Sequence, residues 1–235
     1  MSSDNRFLVL RLEGPLQSWG FDSQYNRRNT GLVPTKSAIA GICCAALGLP
    51  RGSGKEHDFL ASFRTVRITA IAIPRRGRKK ELLVRRLQDY HTVQNTKTAD
   101  GKNKDCHITQ RQYLTDASFG VLLDGDAVFL EKIATALADP KWGIWLGRKS
   151  CVPSAPVLLG LKGNVDNIRF LIKENREDAV RLLIGEEPIE SFTRQEDVES
   201  FGEGGDSLPD MPISFATERR LFFPRRVRTL QGTGI

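Results

Sequence analysis

Thr35-Lys-Ser-Ala-Ile-Ala-Gly-Ile-Cys-Cys-Ala-Ala-Leu-Gly48 is the stretch on which the reading of the fold turns. Ile39, Ile42, Cys43, Ala46 and Leu47 recur at helical spacing, which predicts an amphipathic helix over residues 36–47. Thr35 stands where a hydroxyl accepts from the free N–H groups of a first turn, and Gly48 where a glycine commonly ends the last one. The remaining faces carry Ala38, Ala40, Gly41, Cys44 and Ala45, so the helix can lie close against a sheet.

On either side of this helix the period changes to two. Residues 6–13 set Phe7 and Val9 against Leu8, Leu10 and Leu12, which predicts a strand buried on both faces and stopped by Gly14-Pro15. Residues 66–74 predict a second strand, with Val66, Ile68, Ala70 and Ala72 on one face and Ile71 and Ile73 on the other. Residues 119–124 predict a third. A second helix is predicted over 127–138, between Asp126 and Pro140, with Phe129, Leu130, Ile133 and Leu137 inward. Residues 157–161 are expected to supply a fourth strand. The order β-α-β-β-α-β predicts an α+β, ferredoxin-like (RRM-type) domain over residues 1–165. Residues 166–235 are expected to form a small C-terminal extension making sheet or partner contacts.

The chain carries 35 Lys+Arg against 28 Asp+Glu, a net +7, and residues 75–115 alone hold 11 against 4. One segment therefore supplies the whole imbalance. It separates the second and third strands, where a short turn is the norm, and its length marks a functional insertion. Its middle, Ala99-Asp100-Gly101-Lys102, favours a tight hairpin turn, which predicts a basic β-hairpin arm projecting from the sheet. Such an arm suits a polyanion, because each neutralised phosphate releases condensed counterions. Residues 166–210 invert the balance, with 13 acidic and 5 basic residues, and Glu203-Gly204-Gly205-Asp206 reads as flexible. A basic end follows, with Arg219, Arg220, Arg225, Arg226 and Arg228 around Leu221, Phe222 and Phe223.

Other classes are disfavoured. No apolar run approaches the roughly 18 residues of a membrane span, and residues 1–6 lack a signal-peptide profile, so a cytoplasmic location is expected. Four cysteines form no Cys-x-x-Cys pair, and Cys43 and Cys44 read as small core residues. No His/Cys/Asp/Glu cluster has ligand spacing, so neither metal nor cofactor is expected.

Two segments suit an anion. Thr35, Lys36 and Ser37 open the first helix, where free N–H groups attract phosphate, with Arg27 and Arg28 just upstream. Residues 142–156 place Arg148 and Lys149 after a glycine in a proline-punctuated loop, with Trp142 and Trp145 nearby, aromatics that could stack on bases but are read first as core residues.

Five segments, in order as far as about Gly160, resemble one known family. They are Leu10-Arg-Leu-Glu-Gly-Pro-Leu-Gln-Ser-Trp-Gly20, Pro34-Thr-Lys-Ser37, Asp89-Tyr-His-Thr-Val93, Arg111-Gln-Tyr-Leu-Thr-Asp-Ala-Ser-Phe119 and Leu146-Gly-Arg-Lys149. Together they are similar to the CasD subunits of Cascade, the type I-E CRISPR surveillance complex; the last 70 residues match only loosely. The resemblance implies a RAMP-type ferredoxin-like body whose 75–115 insertion is a β-hairpin thumb. It implies a subunit that holds the 5′ handle of the CRISPR RNA at one end of the backbone filament. Its implied partners are the backbone subunit CasC, the large PAM-recognising subunit CasA and, through the assembled complex, target DNA. The candidate handle contacts are Gln17, Ser18, Arg27, Thr35, Lys36, Ser37, His91, Arg111, Arg148 and Lys149, while Gly14 and Gly20 shape the loop between them. The third strand lacks the aromatic signature of a sheet-face RNA reader, so recognition is expected through loops, helix starts and the thumb.

A competing reading is a metal-independent endoribonuclease that processes CRISPR repeat RNA. Tyr90, His91, Lys104 and His107 fall on the two arms of the predicted hairpin, and a histidine near neutral pH can act as general base on a 2′-hydroxyl. In the family resembled here processing belongs to a different subunit, so a non-catalytic role is expected. A free-standing RNA binder is disfavoured by the acidic stretch and the apolar, basic C-terminus, both of which suit protein contacts.

Overall fold

The computed structural model describes residues 5–20, 23, 26–76, 81–82, 84–98, 100–159, 165–184, 192–203 and 205–232. In chain order its strands and helices are β1 (Asn5–Glu13), β2 (Leu16–Gln17), β3 (Arg27–Arg28), α1 (Lys36–Leu47), α2 (Gly54–Phe63) and β4 (Arg67–Ala72). There follow β5 (Arg75–Arg76), β6 (Glu81–Leu82), β7 (Arg85–Lys97), β8 (Asn103–Thr115), β9 (Ser118–Asp126) and α3 (Ala127–Ala138). The C-terminal part holds β10 (Ile172–Lys173), α4 (Arg176–Ile184), β11 (Phe192–Asp197), β12 (Asp206–Ser214) and β13 (Leu221–Gly232). Among the described residues no helix is long and apolar enough to cross a membrane.

The two predicted helices form over the predicted residues. Thr35 Oγ1 accepts from the N–H of Ala38, Gly48 closes α1 at φ 66°, and Asp126 caps α3 by accepting from Phe129. Helix α2 is additional. Its signal was Ser53-Gly-Lys-Glu56, in which the Ser53 hydroxyl accepts from the Glu56 N–H while the Glu56 carboxylate accepts from the Gly52 N–H.

Antiparallel pairing of β1 with β9 and of β9 with β4 builds the ferredoxin-like centre. The fourth position, beside β1, departs from expectation. Val157–Leu159 touches it only through the Leu10–Leu158 bridge and two hydrogen bonds, Arg11 N to Val157 O (2.8 Å) and Leu159 N to Val9 O (3.2 Å). Gly160 and Leu161 lie outside the described residues. Pro153 and Pro156, which cannot donate to a ladder, precede the bridge, and β10 supplies the short strand proper by pairing Phe7 and Leu8 with Lys173 and Ile172.

The alternation in β1, β4 and β9 sorts onto two faces. Leu8, Leu10, Leu12, Ile68, Ala70, Phe119, Val121 and Leu123 pack with the buried residues of α1, α2 and α3. Val9, Ile71 and Leu122 face the other way, onto Ala179, Val180 and Leu183 of α4. Gly120 makes that second packing possible, since a Cβ there would sit 1.8 Å from Leu183 Cδ2.

Residues 166–235 add four strands and one helix among the described residues. Strands β11, β13 and β12 continue the sheet beyond β4, giving the order β10-β1-β9-β4-β11-β13-β12. Asp206, from the segment read as flexible, opens β12, while Gly204 lies outside the described residues. The acidic and basic residues of this region pair with each other. Burial would push the Glu196 carboxyl up, but hydrogen bonds from Arg228 (2.6 Å) and Arg176 (2.9 Å) and the charge of Arg194 outweigh it and hold it below the usual carboxylate range.

A second charged group lies deeper, between α1 and the C-terminal strands. Arg225 donates to both oxygens of Asp210 (2.6 and 2.9 Å) and to Asp197. Asp210 Oδ2 accepts from the backbone N–H of Lys36 (2.9 Å). The Lys36 ammonium donates to Arg64 O (3.1 Å), Val66 O (2.6 Å) and Asp197 Oδ2 (3.3 Å). Removing one cation should leave a buried carboxylate uncompensated: Arg225→Met should cost about 3–5 kcal/mol. Urea denaturation followed by circular dichroism would measure this, and a loss under about 1 kcal/mol would refute the arrangement.

Candidate nucleic-acid interface

Strands β7 and β8 form one long hairpin, in register from Arg85–Thr115 to Lys97–Asn103. Gly101 at φ 81° turns the tip, closed by Thr98 N to Lys102 O (2.9 Å) and Gly101 N to Thr98 O (3.0 Å). Ala99 lies outside the described residues. The predicted 75–115 arm is thus an 85–115 hairpin preceded by the short β5–β6 ladder. Its base is not free. Strand β8 also pairs with β2 (Gln17–Leu114) and, in parallel, with β3 (Arg27–Gln110, Arg28–Arg111), and Leu114 is fully buried. Beyond this base, β7 has no second strand partner among the described residues.

Beside the base opens a cleft of about 660 Å³. Helix α1 forms one wall through small residues, Ala38, Gly41 and Ala45 among them; the 142–149 loop forms a second and the β12–β13 region a third. Gly147, at φ 104°, lets the loop close down, because a Cβ there would fall 1.8 Å from Ser18 O. Ser18 N donates to Leu146 O (3.0 Å) across the same contact.

The candidate contacts separate into three groups. Ser18, Thr35, Ser37, Arg148 and Lys149 all line the cleft. His91 and Arg111 share one face of the hairpin, since Asp89 pairs with Arg111 and His91 with Thr109. His91 Nδ1 lies 3.4 Å from Asp89, and Arg111 Nε donates to Thr109 Oγ1 (3.1 Å). Exposed Arg27 and Arg28 sit on β3, which joins the two regions, and Arg28 lines the cleft.

Gln17 and Lys36 require correction as side-chain contacts. Gln17 is fully buried, and its Nε2 donates to Leu12 O (3.1 Å) and Ala117 O (2.7 Å), clasping the end of β1 to the start of β9. The Lys36 ammonium points into the charged group beneath α1, where burial lowers its pKa and the Asp197 charge opposes that shift. Two N–H groups of the helix tip are also taken, Lys36 N by Asp210 and Ala38 N by Thr35, so the expected phosphate site at free N–H groups is partly occupied by the protein's own oxygens. Arg148 is a brace as well as a cation. It donates to Gln112 O (3.0 Å) and Arg28 O (2.7 Å) and lies 4.6 Å from the Tyr113 ring centre, tying the 142–149 loop to β3 and β8.

Four further cleft residues were left out of the candidate contacts. Trp142 and Trp145 are not core: they are 46% and 37% exposed and line the cleft. Arg51 and Arg220 converge on it from opposite ends of the chain. Partial desolvation, then the charges of Arg51 and Arg28, press the Arg220 guanidinium below the ordinary arginine range. Only the basic run around Arg220 carried any signal; nothing marked Arg51. Chemically the cleft offers cations, hydroxyls and aromatic surface, with no activated nucleophile. Burial, with the Glu56 charge, pushes the Cys44 thiol up to about 12, so it stays protonated at neutral pH.

Comparison with known proteins agrees with this geometry. The family described as CRISPR-associated protein (Cas_Cas5) matches residues 7–228. The Cascade subunit CasD of Escherichia coli (strain K12) is 31% identical over 159 residues, 66% of this chain and 70% of that one. Among solved structures, a chain of a CRISPR RNA-guided surveillance complex superposes with a TM-score of 0.72 at 26% identity, over 97% of this chain and 90% of that one. A structure described as a Cas protein gives a TM-score of 0.64 at 28% identity, over 97% and 95%. A basic hairpin thumb on a ferredoxin-like body, matched along nearly its whole length, places the chain in the Cas5 family of CRISPR-associated proteins.

Proposed function

We propose that the chain holds the 5′ handle of a CRISPR RNA as a fixed, non-catalytic subunit of a Cascade-type surveillance complex. The observation that carries this reading is one continuous basic path: the cationic hairpin, Arg27 and Arg28 at its base, and the cleft beside them. A ribose-phosphate chain crossing all three would exchange condensed counterions for fixed cations at every step. The ferredoxin-like centre of the sheet gives no alternative route, because α4 covers the second face of β1, β4 and β9. By likeness to CasD the partners are a CasC-like backbone subunit, a CasA-like large subunit and, through the assembled complex, target DNA, in the cytoplasm.

The hairpin geometry disfavours cleavage. Successive residues of a strand point to opposite faces, so Tyr90 lies on the face away from His91. His107, opposite Val93, shares the His91 face, with Lys104 Nζ 3.2 Å from its Nδ1; Tyr113, opposite Leu87, shares it too but is buried at the hairpin base against Arg148. A histidine whose nearest strand tyrosine, Tyr90, faces away, while Tyr113 is buried at the hairpin base, is poorly placed to cut RNA with a tyrosine partner. Incubation with CRISPR repeat RNA in chelator should leave the RNA intact; one site-specific cut abolished by His91→Ala would overturn the non-catalytic reading.

Purified from its native host, the tagged chain should bring RNA and further CRISPR proteins with it, and recovery alone would refute the complex. Lys102→Gln with Lys104→Gln should weaken RNA binding uniformly across sequences and reduce the salt slope by about one per lost phosphate contact. Gly147→Ala should shift the 142–149 loop off Ser18 and lower RNA affinity without altering the hairpin. Fluorescence-anisotropy titrations at several salt concentrations would check both.

A further inference from the structure

The outermost strands of the main sheet are poor templates for further pairing. Strand β10 is two residues long, and β12 carries Pro209 and Pro212, which have no N–H to donate. Strand β7 has neither protection. It runs for 13 residues without proline, and among the described residues only β8 pairs with it. Its cations Arg85, Arg86 and Lys97 stand at the ends, while the middle reads Leu-Gln-Asp-Tyr-His-Thr-Val-Gln. On this hairpin Leu87, Tyr90 and Ile108 are 45%, 64% and 40% exposed.

The pairing with β8 fixes which groups of β7 face outward. Strand β8 gives one edge to β7, so β3 occupies the other, and there Gln110 N donates to Asn26 O (2.8 Å). Antiparallel partners alternate between pairs bonded to each other and pairs whose N–H and C=O groups turn away. Tyr90, opposite Gln110, therefore turns its N–H and C=O to the open edge, as do Arg86, Gln88, Thr92 and Gln94. The regular run ends at Asn95, with φ 53°.

Laid antiparallel against a copy of itself, this edge is complementary in one register. With Tyr90 meeting Tyr90, Gln88 bonds Thr92 and Arg86 bonds Gln94, all through outward-facing backbone groups. Between them Leu87 stands opposite Val93, Asp89 opposite His91, and Arg85 opposite Asn95, each pair occurring twice by symmetry. A slip of two residues sets Asp89 against Asp89, or His91 against His91, and in both cases parts Leu87 from Val93. Apolar and opposite-charge pairs favour a register, and like charges directly opposite disfavour it.

We propose that the chain, when not built into an assembly, pairs with a second copy of itself along residues 86–94 of β7, about a two-fold axis at Tyr90. The pairing joins the two hairpins into one continuous sheet, β8-β7-β7-β8, and covers Leu87 and Tyr90. A ribbon of two strands is marginal alone, and added strands stabilise it. The proposal stands independently of the RNA-holding reading, because it uses the open edge of the hairpin and its backbone groups.

Sedimentation equilibrium of the RNA-free full chain should show monomer and dimer in exchange; a chain still monomeric at about 1 mM would overturn the proposal. Tyr90→Pro removes the N–H at the axis and none that bonds β8, so it should abolish the dimer with an unchanged circular dichroism spectrum. His91→Asp sets carboxylate against carboxylate in both symmetric pairs and should raise the dissociation constant about tenfold. Disulfide trapping reads the register in a Cys106→Ser background, the other three cysteines being buried. Tyr90→Cys should form a covalent dimer on mild oxidation, because bonded antiparallel partners lie about 5.5 Å apart between Cα atoms, within disulfide reach. Thr92→Cys, which faces Gln88, should not. Equal cross-linking at both positions, or a dimer untouched by Tyr90→Pro and His91→Asp, would place the contact elsewhere and overturn the proposal. Should Tyr90→Pro not fold, His91→Asp and the cross-links decide. A monomer whose Tyr90→Pro variant no longer brings other CRISPR proteins from its host would assign the edge to a strand of a different protein, against the proposal.

Discussion

Beneath α1, Lys36, Asp197, Asp210 and Arg225 close a ring of alternating charge in which every member is largely buried. Two positive and two negative groups leave no net charge, and the Arg64 and Val66 carbonyls and the Ile68 N–H take up the remaining donors and acceptors. Buried ion pairs add little net stability over a well-packed apolar alternative, since desolvation consumes most of the Coulomb energy. What they do impose is position. The ring joins the start of α1 to β11, β12 and β13, and so sets the distance between two walls of the cleft.

That ring also decides how an anion can be bound. With Asp210 on the first N–H of α1, the helix tip has given its favourable position to a carboxylate of the same chain. The cations that line the cleft are instead carried by separate elements, among them Arg28 on β3, Arg51 after α1 and Arg220 before β13. These three come together only because the C-terminal strands dock where they do.

A second constraint acts on the opposite side of the sheet. Leu183 seats over the bare backbone of Gly120, and α4 seals the face that open-sheet RNA readers use. On the proposed reading, recognition is displaced to the hairpin and to the loops at its base. The fold likeness covers more of the chain than the pairwise likeness to CasD does. The likeness to CasD spans 66% of the chain, whereas the solved surveillance-complex chain superposes over 97%. Strand pairing rests on backbone hydrogen bonds, which many side-chain sequences satisfy.

Local patterns were enough to place much of this molecule. The 3.6-residue period of 36–47 and 127–138, the alternating faces of β1 and β4, and the Asp-Gly tip of the hairpin could all be read along the chain. So could the concentration of charge in the hairpin region. Helix α2 was written in Ser53 and Glu56 and was overlooked. Other features had no local signature at all. Whether the Lys36 ammonium faces solvent or the interior depends on Asp197 and Asp210, more than 160 residues away. Whether Trp142 is core or surface depends on how tightly Gly147 folds its loop onto Ser18. Periodicity reports which side of an element is apolar, because that is set by the residue's own neighbours. Which distant element arrives at that side, and which polar groups it brings, is settled only when the sheet assembles, and the cleft is the product of that assembly.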